Sequence, residues 1–223
     1  MTPGSAPLGE LSEEARRQAV VVGIDLAGSP ARTTGFCRMA SNRRVETFPL
    51  HTDAEIMAAV RKHRPSLVSV DAPLSLPRGR RVLSDRSGPH FRECDLELRR
   101  RGIRFFPLTI GPMRMLTARG IRLKHRMERA GLEVWESYPG GAQDVLNVPR
   151  KSAGIPRLRN ALVRLGIRGI PPAGVVTHDE LDAVTSALVG WLWLEGRGEA
   201  IGEASEGQIL LPRSATSLRR GVA

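Results

Sequence analysis

Apolar side chains in this chain fall into short, dense runs of two kinds. The runs AVVVGIDLAG (19–28) and SLVSVDAP (66–73) are too continuous to leave a solvent face, and each ends on Gly or Pro. Such runs read as strands buried on both faces of a sheet. Residues 33–39 and 43–49 read as two further strands, with Ser41-Asn42 as the hairpin turn between them. LEVWES (132–137) reads as a short strand, Tyr138-Pro139-Gly140-Gly141 as a turn, and GQILLP (207–212) as a closing strand. Other segments carry helical spacing: 53–63 with Thr52 or Asp53 near its cap, 91–101, 112–129, and 156–165 with Pro156 in the first turn. Residues 177–196 (THDELDAVTSALVGWLWLEG) are apolar almost all round. Thr177 and Glu180 form an S/T-x-x-E capping box there, which predicts a helix from about His178.

The order strand, strand, strand, helix, strand predicts an antiparallel meander and a helical crossover back to the first strand, hence a mixed sheet. Strand 19–27 should lie centrally, between 33–39 and 66–71, with helix 178–194 against one face. The chain of 223 residues suits one sizeable core. The expected organisation is a flexible N-terminal tail over 1–18, one domain over 19–212 and a flexible C-terminal tail over 213–223.

Composition narrows the class. Aromatics are only 4% of residues, so the core rests on aliphatic side chains. No run of 18 apolar residues occurs and the N-terminus lacks an apolar segment, so neither a membrane span nor a secretory signal is expected. Cys37 and Cys94 have no metal-type spacing and read as ordinary thiols of a reducing cytoplasm. The net charge is +11, carried almost entirely by Arg. Between Arg78 and Arg129 there are 15 basic and five acidic side chains, a local net of +10. Segment 78–129 therefore reads as a basic helical insertion, and such concentration suits a polyanion. Arg99, Arg100, Arg101 and Arg104 are the candidate nucleic-acid contacts.

The acids carry the candidate chemistry. Asp25 lies inside the strongest buried-strand run, and an ionised carboxylate there costs several kcal/mol unless something compensates it. Asp71 ends the second such run and Glu136 ends strand 132–137. Asp182 lies on the apolar helix, with Asp179 three positions earlier on the same face. Structural readings exist for several: Asp179 as a helix-start acid, Asp71 as a turn residue before Ala-Pro, Glu136 as a surface acid. Asp25 and Asp182 resist them, because their neighbours imply burial. Brought together, these carboxylates would repel unless a cation neutralised them, and oxygen-only ligation suits Mg²⁺ or Mn²⁺. Such a cluster can hold two ions about 3.5–4 Å apart for phosphodiester hydrolysis.

GIDLAGSPARTTG, VSVDAPLSLP, CDLELRRRGI, VWESYPGGAQDVL and THDELDAVTSALVGWL together resemble domain of unknown function family 429. This bacterial and archaeal family is regarded as nucleases of the ribonuclease H fold. The resemblance runs through most of residues 20–212. More distantly, a first-strand Asp with an Asp-x-x-Asp-Ala helix resembles Holliday-junction resolvases. The resemblance implies an α/β, ribonuclease H-like mixed sheet flanked by helices and a divalent-metal nuclease acting on DNA or RNA. It also implies metal ligation by Asp25, then Asp71 or Glu136, then Asp179 and Asp182. Which of Asp71 and Glu136 serves, or whether both do, stays open. Two other classes compete: a non-catalytic nucleic-acid-binding module, which leaves Asp25 and Asp182 without a reason, and an actin- or sugar-kinase-like phosphotransferase. The latter matches Asp25-Leu26-Ala27-Gly28 loosely but needs a second such turn and a second domain.

Overall fold

A computed structural model of the chain describes residues 13–85 and 87–214. Most of the two expected tails lies outside those residues. Within them, Glu13–Gln18 forms a short helix, α1, and Arg213 is bonded to the backbone oxygens of Arg197 and Gly198. Among the described residues, no helix is long and apolar enough to cross a membrane.

Val20–Asp25 (β1), Thr34–Ala40 (β2) and Val45–Leu50 (β3) form the antiparallel meander. Asp53–His63 (α2) starts at Thr52, whose side chain and Glu55 make a reciprocal capping box, and returns the chain to Leu67–Asp71 (β4), parallel to β1. The basic segment supplies Glu93–Arg100 (α3) and Gly111–Arg129 (α4). Val134–Ser137 (β5), Pro139–Val145 (α5), Ile155–Arg164 (α6), His178–Leu194 (α7), Gly198–Ile201 (β6) and Ile209–Pro212 (β7) complete the chain. The seven strands lie in the order β3-β2-β1-β4-β5-β7-β6, with β4, β5 and β7 parallel to β1 and an antiparallel β6 on the edge. This is the α/β, ribonuclease H-like arrangement, with β1 central as the apolar pattern predicts.

Two elements differ from expectation. The Tyr138–Gly141 turn is the start of α5: Pro139 occupies the first helical position, where its missing N–H is no loss. Strand β6 has no counterpart in the sequence pattern, because a four-residue edge strand reading GEAI shows no alternation of apolar positions.

Packing follows side-chain alternation. Val22, Ile24, Val68, Val70 and Val134 face α2 and α4, whose Ile56, Val60, Leu123 and Met127 cover them. Val21 and Leu67 face the opposite side and pack against Ala183, Val184, Ala187 and Leu188 of α7. Gly23 permits that contact, since a Cβ there would lie 2.0 Å from the Ala183 oxygen and 2.4 Å from the Ala187 nitrogen. Gly35 does the same further along, where a Cβ would lie 2.0 Å from the Asp179 oxygen. Two glycines and two alanines therefore let α7 lie almost on the backbone of the central strands, beside their carboxyl ends.

Candidate functional site

Alternation along β1 puts Val21, Gly23 and Asp25 on the α7 face, and along β4 it puts Leu67, Ser69 and Asp71 there. Asp25 and Asp71 are register partners in adjacent parallel strands, so two carboxylates stand side by side at the sheet's carboxyl edge. Asp182, only 3% exposed, reaches them from the second turn of α7, with Asp179 a turn earlier. Four of the five expected acids thus meet on one face. Asp25, Asp71 and Asp182 open on a cleft of about 330 Å³, the size of a small-ligand site, which Glu136 also lines.

Asp25, Asp71 and Asp179 are perturbed by this company. Burial, then the charge of Asp182, pushes the Asp25 carboxyl up to about 8, with Asp179 adding to the rise and Lys151 and Arg32 opposing it. Burial, then Asp25 and Asp182, holds Asp71 well above the ordinary carboxylate range. Burial also raises Asp179, against the pull of Lys151. The Asp182 carboxylate has two partners: Gln143 Nε2 donates to its Oδ1 at 2.9 Å, and Lys151 Nζ lies 3.1 Å from its Oδ2. Burial alone would lower the Lys151 ammonium, but Asp182, Asp25 and Asp71 outweigh it and push it up to about 12.

Glu136 is placed differently. Its register partner is Val70, so it shares the α4 face and not that of Asp71; the register partner of Asp71 is Ser137. Both Glu136 oxygens are engaged, by Arg92 Nη1 and Nη2 at 2.6 and 2.7 Å, and Oε2 also accepts from the Leu74 backbone N–H at 2.8 Å. Burial still raises its pKa, with Arg92 opposing. Glu136 therefore anchors the turn after β4 to α3. Ser137, 2% exposed and lining the cleft, is the neighbour of Asp71 instead, and its Oγ has no hydrogen-bond partner.

The basic cluster also divides. Arg100 is paired with Glu93 and Glu97, and Arg101 with Glu97 and Glu199, so neither presents a free charge. Arg99 lies over the Phe91 ring, 4.3 Å from its centroid. Arg104 makes no ion pair among the described residues and lines the groove beside the cleft. Lys151, Gln143 and Arg92 have no signature of their own in the sequence; only the packing that brings α5 and the 3₁₀ turn Lys151–Ala153 against α7 reveals the first two.

Among the described residues, no three of His, Cys, Asp or Glu form a ready-made metal cage. The donor chemistry nevertheless fits a hard cation. All the donors are carboxylate oxygens, the neighbouring acids help raise Asp25 and Asp71, and the cations acting against that rise are Lys151 and, at Asp25, Arg32.

Fold and site together define an α/β, ribonuclease H-like protein with an acidic cluster at the carboxyl ends of its central strands. The chain belongs to the family DUF429, described as a protein of unknown function, whose model matches residues 23–206. No curated protein matches it. Among solved structures it is similar to the Thermus thermophilus RuvC structure, with a TM-score of 0.43 and 14% identity over 79% of this chain and 96% of that one.

Proposed function

We propose that this protein is a metal-dependent nuclease that hydrolyses phosphodiester bonds of DNA or RNA. The observation that carries the reading is the register pairing of Asp25 with Asp71 beneath Asp182 and Asp179. Gathering buried acids costs several kcal/mol, a cost that a bound cation would offset.

In this reading Asp25, Asp71, Asp182 and Asp179 hold Mg²⁺ or Mn²⁺. A metal held there would supply an activated water and stabilise the leaving oxygen. Gln143 fixes the Asp182 carboxylate through its Oδ1. Lys151, on its short 3₁₀ turn, holds the Asp182 Oδ2 and is the counter-charge a bound cation would replace. Arg32 and Arg104 draw the phosphate backbone toward the cleft. Glu136 acts at one remove, positioning the turn at Leu74 through its bonds to that backbone and to Arg92.

The test is calorimetric titration of Mn²⁺ and Mg²⁺ into the wild type and Asp25→Asn, with cleavage of labelled DNA and RNA measured in parallel. Metal binding lost in the variant, together with cleavage abolished by EDTA, is the expected result. Cleavage that persists in excess EDTA overturns the mechanism.

A further inference from the structure

The cleft over Asp25, Asp71 and Asp182 continues sideways. Phe105, Phe106, Tyr138 and Arg150 line both it and an adjoining groove, so the two are one surface. Three of these four are aromatic, in a chain where aromatics are 4% of residues. Phe105 is fixed edge-on against Phe91, with ring centroids 6.0 Å apart and planes at 87°, and the Arg99 guanidinium covers the Phe91 ring. Phe106 is not covered: it is 73% exposed. The Tyr138 hydroxyl donates to the Arg104 oxygen, which ties the segment carrying Phe105 and Phe106 to the start of α5. Here a ring is held out to solvent by a tethered backbone, one step from a cluster of acids and beside an unpaired arginine.

We infer that this groove is a subsite for one unpaired nucleobase of a single-stranded nucleic acid, stacked on Phe106, with Arg104 on the adjoining phosphate. The inference rests on the nuclease reading and narrows its substrate. A ligand that suits both ends of the surface must carry a flat apolar face next to an anion that approaches metal-loaded carboxylates. An unpaired nucleotide has that pattern, whereas a duplex hides its base faces in the stack. The cationic rim of Arg99 and Arg104, with Arg150 held by Asp144, disfavours a merely apolar partner.

The test is fluorescence anisotropy of the full chain in EDTA, where metal-dependent cleavage cannot intervene. The probes are a labelled 12-nucleotide oligothymidylate and an abasic strand of the same length and charge. Stacking of one base predicts about 5- to 150-fold tighter binding of the thymidylate. Phe106→Ala should remove most of that preference while leaving affinity for the abasic strand unchanged, and Phe106→Tyr should retain it. Equal affinity for the two strands, no binding of either, or an unchanged preference in Phe106→Ala overturns the subsite. Metal-dependent cleavage, assayed separately on the same preparations, reports independently on the nuclease reading. Cleavage without base preference sinks only the subsite, and base preference without cleavage sinks only the nuclease.

Discussion

Replacing Arg92 by Met keeps most of the side chain's reach and removes its charge. Arg92 is 1% exposed, and its guanidinium makes five hydrogen bonds: two to Asp95, two to Glu136 and one to Ser75. In Arg92→Met the Glu136 and Asp95 carboxylates, 6% and 5% exposed, would face each other without a counter-charge. Breaking a buried pair from one side costs about 3–5 kcal/mol. For a chain of this size that lowers Tm by roughly 6–20 °C. The sign with pH follows from the same carboxylates. Glu136 is already raised by burial against the opposing Arg92, and losing Arg92 raises it further. The cost of the substitution is therefore full at neutral pH and shrinks as pH falls and the carboxylates take up protons. Urea unfolding of wild type, Arg92→Met, Glu136→Gln and the double variant at pH 5 and 8 measures this. The double variant should be less destabilised than the sum of the singles by about 0.5–3 kcal/mol. Glu136→Gln should keep its Mn²⁺ affinity, because its oxygens serve Arg92 and Leu74. An Arg92→Met cost below about 1 kcal/mol, or loss of Mn²⁺ binding in Glu136→Gln, would refute the assignment of Glu136 to the scaffold.

Four further outcomes are expected. Asp25 has its carboxyl raised from 3.8 to about 8, so the folded state holds a proton that the unfolded chain gives up, and stability falls as pH rises across that window. In EDTA, Asp25→Asn should therefore gain stability relative to wild type between pH 5 and 8, and a difference that stays flat would contradict the shift. Lys151→Met removes the ammonium facing Asp182 and should tighten Mn²⁺ binding by about tenfold, read by calorimetry; weaker binding would show that Lys151 supports the metal-bound state. Gly23→Ala places a methyl 2.0 Å from the Ala183 oxygen, a backbone atom that cannot yield, and should lower stability by about 1–3 kcal/mol or more; a variant that melts like the wild type would mean α7 lies further from β1. Arg104→Gln should flatten the salt dependence of oligonucleotide binding by a slope of about 0.7–0.9, while Arg100→Gln/Arg101→Gln should leave it unchanged because Glu93, Glu97 and Glu199 already hold those charges.

Much of the fold is legible in the sequence because its central strands are buried on both faces. A continuous run such as AVVVGID admits few other readings, and the Thr177/Glu180 box fixes the start of α7 to the residue. The same burial exposes Asp25 and Asp182 as anomalies without any structure. The choice between Asp71 and Glu136 is not legible. It turns on a parity: both acids end strands, and only the register of β4 against β5 shows that Glu136 pairs with Val70 and Ser137 with Asp71, so that Glu136 reaches the cleft with its oxygens held by Arg92. A slip of one residue would exchange Glu136 for Ser137. Helix α5 is hidden for another reason. Tyr138-Pro139-Gly140-Gly141 has turn chemistry, yet the glycines serve packing, since a Cβ on Gly141 would come within 2.9 Å of the Tyr138 ring.

The basic segment shows how a charge count and a charge surface part company. Arg80, 5% exposed, donates to the backbone oxygens of Pro89, Asp85 and Gly88 at 2.8, 2.6 and 2.7 Å, in a stretch with no regular secondary structure to satisfy them. Arg119, 2% exposed, joins Asp53 at the start of α2 to the oxygens of Ala27 and His51, tying the loop after Asp25 to α4. Arg92 joins α3 to β5. A guanidinium carries five donors in a rigid fork and stays charged when buried, so it can stand in for backbone pairing where a loop must be held; Lys could not. Three of the arginines between 78 and 129, Arg80, Arg92 and Arg119, are thus internal scaffolding around the acidic cleft. Among the described residues, the cations near the acids that make no ion pair include Arg104, in the adjoining groove, and Arg32, which acts on Asp25. A footprint of a few phosphates follows. The salt slope of binding should therefore be far shallower than 15 basic side chains would give, and the base on Phe106 should supply a large share of the affinity.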